Sequence, residues 1–254
     1  MLVYMVRYNN ITRRLGAKDN DIKYFKHLLP LDPAIVVEPF GGSFAVIKHF
    51  YKDTDKYIFH INDTDETLYH VYLHYQDFID EYNKLCITYR TEFEDKPYKF
   101  LEYVIGLDRI HPNLKAYILK SVFIRGKMFK PLKTTNYNPI EMNILDVAIL
   151  SDFDYTEIFR LYKNNEDAFL FLDPPYLFSD NNNYASQVRE TDMTQIIVDI
   201  VRFIKTCKCK VMLIINKLNI LQELFKKYIK GEYLKIYQIG KHKSYHLIIT
   251  NYDI

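Results

Sequence analysis

The chain has no tryptophan, only three cysteines and only seven glycines among its 254 residues. Cys86, Cys207 and Cys209 show no Cys-x-x-Cys spacing, which excludes a zinc ribbon and favours reduced thiols in an intracellular, reducing compartment. There is no His-Glu-x-x-His motif and no histidine cluster in the sequence, so we expect no metal centre. No run of 18 apolar residues and no signal-peptide pattern occurs, so we expect no membrane segment.

Composition sets the scale of the fold. With 254 residues, of which 48% are hydrophobic, the chain is long enough to bury one α/β core with a small insertion. The formal net charge of +2 does not by itself indicate a nucleic-acid partner. Abundant lysine, asparagine, isoleucine and tyrosine are typical of proteins from AT-rich genomes, such as those of a virus or parasite.

An apolar run ends in the tetrapeptide Asp173-Pro174-Pro175-Tyr176, the most informative segment of the chain. Proline cannot donate to a strand ladder, so two prolines end the strand abruptly and stiffen its last residues. That end presents a carboxylate, backbone carbonyls and one aromatic face. Such groups can accept hydrogen bonds from an amino group and stack a flat ring, as methylation of an exocyclic amine requires. A plain turn after a strand is the alternative.

A second signal lies upstream, where a short apolar strand at 35–38 ends in Glu38 and is followed by Gly41 and Gly42. Glycine lets the backbone turn tightly and approach a ligand closely. The next apolar strand ends at Asp63, and a carboxylate at this position commonly binds ribose hydroxyls. Either acid alone is more often a helix cap. The pair, on consecutive strands, favours a cofactor crevice.

In their order, these motifs resemble the Dam-like adenine-specific DNA methyltransferases, in which the cofactor motifs precede Asp-Pro-Pro-Tyr. The resemblance covers most of the chain. It implies S-adenosylmethionine as cofactor, DNA as partner and methylation of adenine flipped out of the duplex. The cofactor-binding residues implied are Lys18, Glu38, Phe40, Gly41, Gly42, Asp63, Asp152, Phe153, Asp154, Asp173 and Tyr184, and the catalytic residues implied are Asp173, Pro174, Pro175 and Tyr176.

Each of these residues has an expected task. If Asp173 and the Pro174 carbonyl accept the two amino hydrogens, the adenine nitrogen becomes more pyramidal and more nucleophilic. Tyr176 is expected to stack on the target base, and Tyr184 to line the pocket unless it is an ordinary loop residue. Lys18 either pairs with the cofactor carboxylate or is a solvated lysine.

The expected fold class is α/β, a Rossmann-like S-adenosylmethionine-dependent methyltransferase sheet with an inserted, mainly helical target-recognition subdomain. Residues 1–67 and 144–254 are assigned to the catalytic domain, and residues 68–143 to the insertion, because this stretch interrupts the βαβ rhythm. Strands are expected at 34–38, 57–62, 168–173, 211–216, 233–239 and 245–251, and helices at 43–51, 193–205 and 218–228.

Within the insertion, residues 109–140 contain no acid but seven lysines and arginines with interleaved aromatic residues. This pattern suits phosphate contact and base stacking, and we expect Arg125 and Lys127 to lie nearest the DNA. A solvated basic face is the alternative, for this run and for a second one at 226–243.

Two other functions stay open at this point. The same catalytic face would serve to methylate an amine or amide in RNA or protein. The chain could also be a catalytically degenerate, nucleic-acid-binding subunit. Arg14, which stands where the family usually has an aromatic residue against the cofactor, favours that alternative, whereas the intact Asp173-Pro174-Pro175-Tyr176 segment opposes it.

Overall fold

The computed structural model describes residues 18–51, 56–124, 127–128, 139–176, 190–236 and 243–253, without the side chains of 121–139 and 190–192. Arg14, Arg125 and Tyr184 lie outside the described residues, and of Lys127 only the backbone is described.

The strands are β1 (Ile35–Glu38), β2 (Ile58–Asn62), β3 (Phe123–Ile124), β4 (Lys127–Met128), β5 (Ile149–Ser151), β6 (Ala168–Leu172), β7 (Lys210–Asn216), β8 (Ile229–Ile236) and β9 (Lys243–Thr250). The helices are α1 (Ile22–Phe25), α2 (Ala45–Phe50), α3 (Glu66–Leu73), α4 (Tyr75–Glu92), α5 (Pro97–Ile105), α6 (Pro112–Val122), α7 (Pro139–Val147), α8 (Tyr155–Tyr162), α9 (Glu190–Thr206) and α10 (Asn219–Phe225).

The main sheet has the strand order β5-β2-β1-β6-β7-β9-β8. The first five of these strands run parallel to one another, whereas β9 is antiparallel to both of its neighbours. Numbered along the chain, the parallel strands follow the order 3-2-1-4-5 of a Rossmann-type sheet, with crossover at β1 and β6. The expected Rossmann-like α/β class, ending in an antiparallel hairpin, is confirmed.

Burial explains why the central strands could be predicted from the sequence. Every residue of β6 is buried, as are the five inner residues of β7, because helices cover both faces of a parallel sheet. The edge strand β5 was not expected: it has three residues, of which Ile149 is exposed, too few to show an alternating pattern. The strand β8 begins at Ile229, earlier than expected, with an irregular register between Ile229 and Gly231.

The helices between β2 and β5 share the core of the sheet. Leu68 and Tyr72 of α3 are buried in one cluster with Val36 and Ile61 of the strands, and Leu114 of α6 belongs to the same cluster. The helices α3 and α6, which belong to the stretch 68–143 assigned to target recognition, are therefore packed on the sheet. In the ranges that the structure covers, no helix is long and apolar enough to cross a membrane.

A buried charge cluster joins the N-terminal segment, α2 and α7. The Lys48 ammonium group lies 2.7 Å from Glu141 Oε1 and also contacts the Asp19 carboxylate. Glu141 is fully buried, and its charge is stabilised by this pairing. The three charges hold the start of α7 against the segment that carries Lys18.

We therefore expect Lys48→Met to lower the free energy of unfolding by about 3–5 kcal/mol, because the Glu141 carboxylate loses its cation inside the protein. Urea denaturation would measure this change. The double variant Lys48→Met, Glu141→Leu should be clearly less destabilised, and Lys208→Met, which affects an exposed pair, should have little effect. Equal stability of Lys48→Met and the wild type would show that the cluster contributes nothing.

Candidate functional site

Three carboxylates meet at one edge of the sheet. Glu38 is the last residue of β1, Asp63 follows β2 and Asp173 follows β6. These strands are adjacent and parallel, with Glu38 paired to Ile61 and Val37 paired to Leu170, so their carboxyl ends lie side by side. Ligands of open α/β sheets bind at this edge. The structure thus brings the three acids expected from the sequence to one edge of the sheet.

Asp173 is held by a buried lysine. Lys18 Nζ donates to Oδ1 and Oδ2 of Asp173, both at 2.6 Å, and the lysine side chain is only 3% exposed. Burial lowers the pKa of Lys18 below its ordinary value, and the nearby Asp173 charge opposes that shift. The Lys18 ammonium group, expected to meet a cofactor carboxylate or solvent, contacts the Asp173 carboxylate in this structure.

The residues after Asp173 complete this end of the strand. The Tyr176 hydroxyl donates to Asp173 Oδ1 at 3.1 Å, and the Lys18 ammonium lies 5.2 Å from the centre of the Tyr176 ring. A carboxylate has about four lone-pair positions. Lys18 and Tyr176 together occupy three of them, so among contacts of the described residues one acceptor position, on Oδ2, is left for a substrate.

Glu38 is a buried cap of helix α2. Its Oε1 accepts from the backbone N–H groups of Val46 at 2.9 Å and Ile47 at 2.8 Å. Burial raises the pKa of Glu38 to about 8, while the hydrogen bond from Ile47 opposes the shift. Glu38 thus fixes the loop between β1 and α2, and its charge near neutral pH is sensitive to its surroundings.

The two glycines of this loop have different reasons to be there. A Cβ on Gly41 would lie 2.7 Å from Ile61 Cγ2 and 3.0 Å from the Asn62 carbonyl, so neighbouring β2 requires glycine. Gly42 has φ +50°, a left-handed conformation that glycine adopts without strain. Its N–H donates to Asp63 Oδ2 at 3.0 Å. Beside Gly42, the nearest atom to an added Cβ is the Phe40 carbonyl at 3.9 Å, so a ligand can approach here.

A series of hydrogen bonds, which was not predicted from the sequence, connects the loop after β1 to the loop after β5. Asn62 Nδ2 donates to the carbonyl of Pro39 at 2.9 Å and to that of Phe153 at 3.0 Å. The Ser151 hydroxyl donates to Asn62 Oδ1 at 2.7 Å and lies 2.8 Å from His60 Nε2. The Asn62 amide therefore sets the separation of the two loops.

His60 holds the Asn62 amide in place through the Ser151 hydroxyl. Its Nδ1 lies 2.8 Å from the Tyr162 hydroxyl, and burial lowers the pKa of His60 to about 4, so the ring is neutral at pH 7. The sequence did contain a signal for these hydrogen bonds, because two polar residues, His60 and Asn62, stand in an apolar strand. Buried polar groups need hydrogen-bond partners.

The segment after β5 provides an aromatic face. Phe153 is 48% exposed beside the Asn62 contact, whereas Asp154 caps α8 by accepting from the Thr156 N–H at 2.9 Å. Asp152 is exposed. Phe40 stacks on Tyr155 at the start of α8, with ring centroids 5.6 Å apart. Phe153 is thus the member of this segment that is best placed to cover a flat ligand.

Comparison with known proteins indicates a broad class. No family model matches the chain. It is 28% identical over 272 aligned positions to the type II methyltransferase M.CviBI of Paramecium bursaria Chlorella virus NC1A, covering 95% of this chain and 99% of that protein. The hMettl16 catalytic domain in complex with MAT2A 3'UTR hairpin 6 aligns with a TM-score of 0.39 and 10% identity, over 98% of this chain and 76% of that chain, which is too weak a likeness for inference. The sequence similarity supports a methyltransferase.

The raised pKa of Glu38 predicts a pH effect on stability. A folded-state pKa of about 8, against an ordinary value of 4.5, means that the folded protein holds this proton more tightly than the unfolded chain. The stabilisation is therefore complete below about pH 4.5 and is lost as the pH rises through 8. We expect the free energy of unfolding of wild type to fall over this range relative to Glu38→Gln.

Chemical denaturation of both proteins at a series of pH values would measure the difference. Glu94→Gln, at an exposed position, is the control for replacing a glutamate with glutamine. A difference between Glu38→Gln and wild type that does not change with pH would mean that Glu38 carries the same charge in both states.

Proposed function

We propose that the chain transfers a methyl group from S-adenosylmethionine to the exocyclic amino group of adenine in DNA. The observation that carries this proposal is the position of Asp173. Its carboxylate stands at the end of β6, is followed by two prolines and Tyr176, and shares the sheet edge with Asp63 and the glycine loop. The similarity to a type II methyltransferase supports the reaction class.

The chemistry of the crevice fits this cofactor. Asp63 accepts the backbone N–H groups of Gly42 and Asp65 at this edge of the sheet, and a carboxylate is also an acceptor that suits ribose hydroxyls. Phe153 offers an exposed ring on which the adenine of the cofactor could stack. The space beside the Gly42 backbone is open to a ligand. Acids at the strand ends suit a cationic sulfonium. When bound, S-adenosylmethionine would supply an electrophilic methyl group at this edge.

The proposed role of Asp173 is to prepare the amine. The lone pair of the adenine amino nitrogen is delocalised into the ring, which makes it a weak nucleophile. If Asp173 Oδ2 and the Pro174 carbonyl accept the two amino hydrogens, the lone pair is directed out of the ring plane. The bound cofactor would supply the methyl group and leave as its neutral thioether, and Asp173 or water would take the proton that the methylated ammonium releases. No stronger base is needed, because that ammonium is acidic.

Lys18 and Tyr176 hold the carboxylate for this step. Lys18 donates to both oxygens of Asp173 and fixes their positions, so the remaining acceptor position has a defined direction. Alignment of two reactants can contribute about 7–11 kcal/mol to a rate enhancement. Flipping the base out of the duplex costs a few kcal/mol, which stacking on Tyr176 would partly offset. The proposed catalysis is therefore mainly positioning.

DNA is proposed as the substrate because of the basic stretch 109–140 in the insertion, which has no acid and interleaves cations with aromatic residues. Its helix α6 packs against α3, close to the loop that follows Asp63. Lys120 of α6 lies 3.6 Å from Asp65 Oδ2, so this region flanks the crevice. A grip on phosphates beside the site would hold the duplex while one base enters.

We expect Asp173→Asn to lower the rate of methyl transfer about 10²–10³-fold, because the amide cannot stabilise the positive charge that develops on the amine. Asparagine keeps an acceptor for Lys18, which alanine would not. Binding of S-adenosylmethionine, measured by calorimetry, should change little. Mass spectrometry of digested DNA would report N6-methyladenine.

The matched control is Asp167→Asn, which changes an exposed carboxylate at the opposite end of the same strand and should methylate like wild type. Wild-type amounts of methyladenine from Asp173→Asn would exclude Asp173 from the chemistry.

Replacement of Arg125 and Lys127 one at a time tests the proposed DNA contacts. A lost phosphate contact should reduce the slope of log affinity against log salt by about 0.9, whereas a lost base contact should cost about 1–3 kcal/mol and relax the preferred sequence. Fluorescence anisotropy with labelled duplexes measures both. Lys56→Ala, before β2 and hence at the far edge of the sheet, is the control. If neither variant differs from this control, DNA binds elsewhere.

A further inference from the structure

A second polar cluster lies behind Tyr176, on the antiparallel hairpin. His246 of β9 is fully buried, and the strand register places it opposite Asn216 of β7 and Tyr233 of β8. Its Nδ1 lies 3.2 Å from the Tyr233 hydroxyl and 3.3 Å from the Tyr176 hydroxyl. A buried imidazole between two tyrosines is not required by the sheet, since a hydrophobic residue would also fit a buried strand position.

The contact with Tyr176 involves the ring as well as the hydroxyl. The rings of Tyr176 and His246 are nearly perpendicular, at 89°, with centroids 5.1 Å apart. This edge-to-face arrangement is one of the favourable geometries for aromatic pairs. Together with the hydroxyl contact, it fixes both the position and the tilt of the Tyr176 ring.

The donors can be assigned from the partners. A carboxylate only accepts, so the single hydroxyl hydrogen of Tyr176 goes to Asp173 Oδ1. The imidazole then donates its single Nδ1 hydrogen, which the hydroxyl oxygens of Tyr176 and Tyr233 share, since the Tyr233 hydrogen goes to Asp21. Burial, with the charges of Lys18 and Lys235, lowers the pKa of His246 to about 3, so the ring is neutral at pH 7. The sequence of donors runs from His246 to Tyr176 to Asp173.

These contacts close into a ring. The Tyr233 hydroxyl lies 3.3 Å from Asp21 Oδ2, which also accepts from Lys235 at 2.5 Å. Asp21 in turn donates its backbone N–H to the Lys18 carbonyl at 2.8 Å, and Lys18 holds Asp173. The ring therefore joins the strand ends, the hairpin and the N-terminal segment, and each member is restrained from two sides.

We propose that His246 is a positioning residue, which orients Tyr176 for stacking on the target base and directs the Tyr176 hydroxyl onto Asp173. This inference rests on the proposed function and extends it to a residue in the terminal hairpin. His246 would not touch the substrate; it would act through Tyr176.

The experiment compares single-turnover methyl transfer by four proteins: wild type, His246→Phe, Tyr176→Phe and the double variant. Phenylalanine keeps a ring at position 246 but has no Nδ1. We expect His246→Phe to lower the rate about tenfold, as the loss of one hydrogen bond to the reacting assembly would, with cofactor affinity unchanged. His246→Asn, whose amide can place a donor near the former Nδ1, should recover part of the rate.

The decisive comparison is that of the effect of His246→Phe in the wild-type protein with its effect in the Tyr176→Phe variant. If His246 acts through the Tyr176 hydroxyl, His246→Phe should have no further effect on the rate when Tyr176 is already phenylalanine. The same fold reduction in both backgrounds would overturn the proposal, and so would a wild-type rate for His246→Phe. Tyr245→Phe, at the adjacent and exposed position of the same strand, is the control for disturbing β9 and should match wild type.

An NMR measurement separates this proposal from the proposed function. With tyrosine labelled with ¹³C at Cζ, and the Tyr176 signal assigned from Tyr176→Phe, His246→Phe should shift that signal in the free protein. If the wild type methylates nothing but the shift occurs, the contact stands and the proposed function fails. An unshifted Tyr176 signal would overturn the positioning role whatever the activity.

Discussion

The buried ion pair between Lys18 and Asp173 is the interaction on which the candidate site depends. A lysine inside a protein is costly unless a carboxylate faces it, and here both oxygens of Asp173 do so at 2.6 Å. The two residues are 155 positions apart, so the pair also fastens the N-terminal segment across the end of β6. Through Asp19 and Asp21, the same segment contacts the Lys48 cluster and the β8–β9 hairpin. The pair therefore belongs to a network that joins the N-terminal segment, α2 and the hairpin.

The parallel sheet supplies the second constraint. Because β2, β1 and β6 are adjacent and in register, residues that end each strand become neighbours without any loop having to reach far. The crevice is then adjusted by buried polar side chains of the strands themselves. Asn62 of β2 bridges two loops, and His246 of β9 supports Tyr176. Strands are rigid elements, and polar groups anchored on them hold a site more accurately than loop residues do.

Much of the fold could be predicted from the sequence, for identifiable reasons. The strands β1, β2, β6 and β7 are apolar runs bounded by polar or glycine-rich turns, and burial on both faces makes them visible. The short strand β5 was not predicted, because three residues are too few to show a periodic pattern. The convergence of Glu38, Asp63 and Asp173 could also be anticipated, because parallel strands end at one edge.

The partners of these residues could not be predicted. The ion pair of Lys18 with Asp173 and the chain from His60 to Asn62 through Ser151 join positions that are far apart in sequence, and single-sequence patterns carry no information on such contacts. Glu38 shows the limit most clearly: the sequence left a helix cap and a place in a cofactor crevice as alternatives, and in the structure its carboxylate caps α2. Residue type and strand position indicated where the site lies, and tertiary contacts decide what each group does there.

We propose that the protein methylates adenine in DNA at this edge of the sheet. The most direct measurement is incubation of the purified protein with S-adenosylmethionine carrying a labelled methyl group, together with separate pools of DNA, RNA and protein, followed by digestion and mass spectrometry. We expect label in DNA, as N6-methyladenine, and none in the other two pools. Label that enters only RNA or only protein would contradict the proposed substrate, and no label in any pool would contradict the proposed reaction.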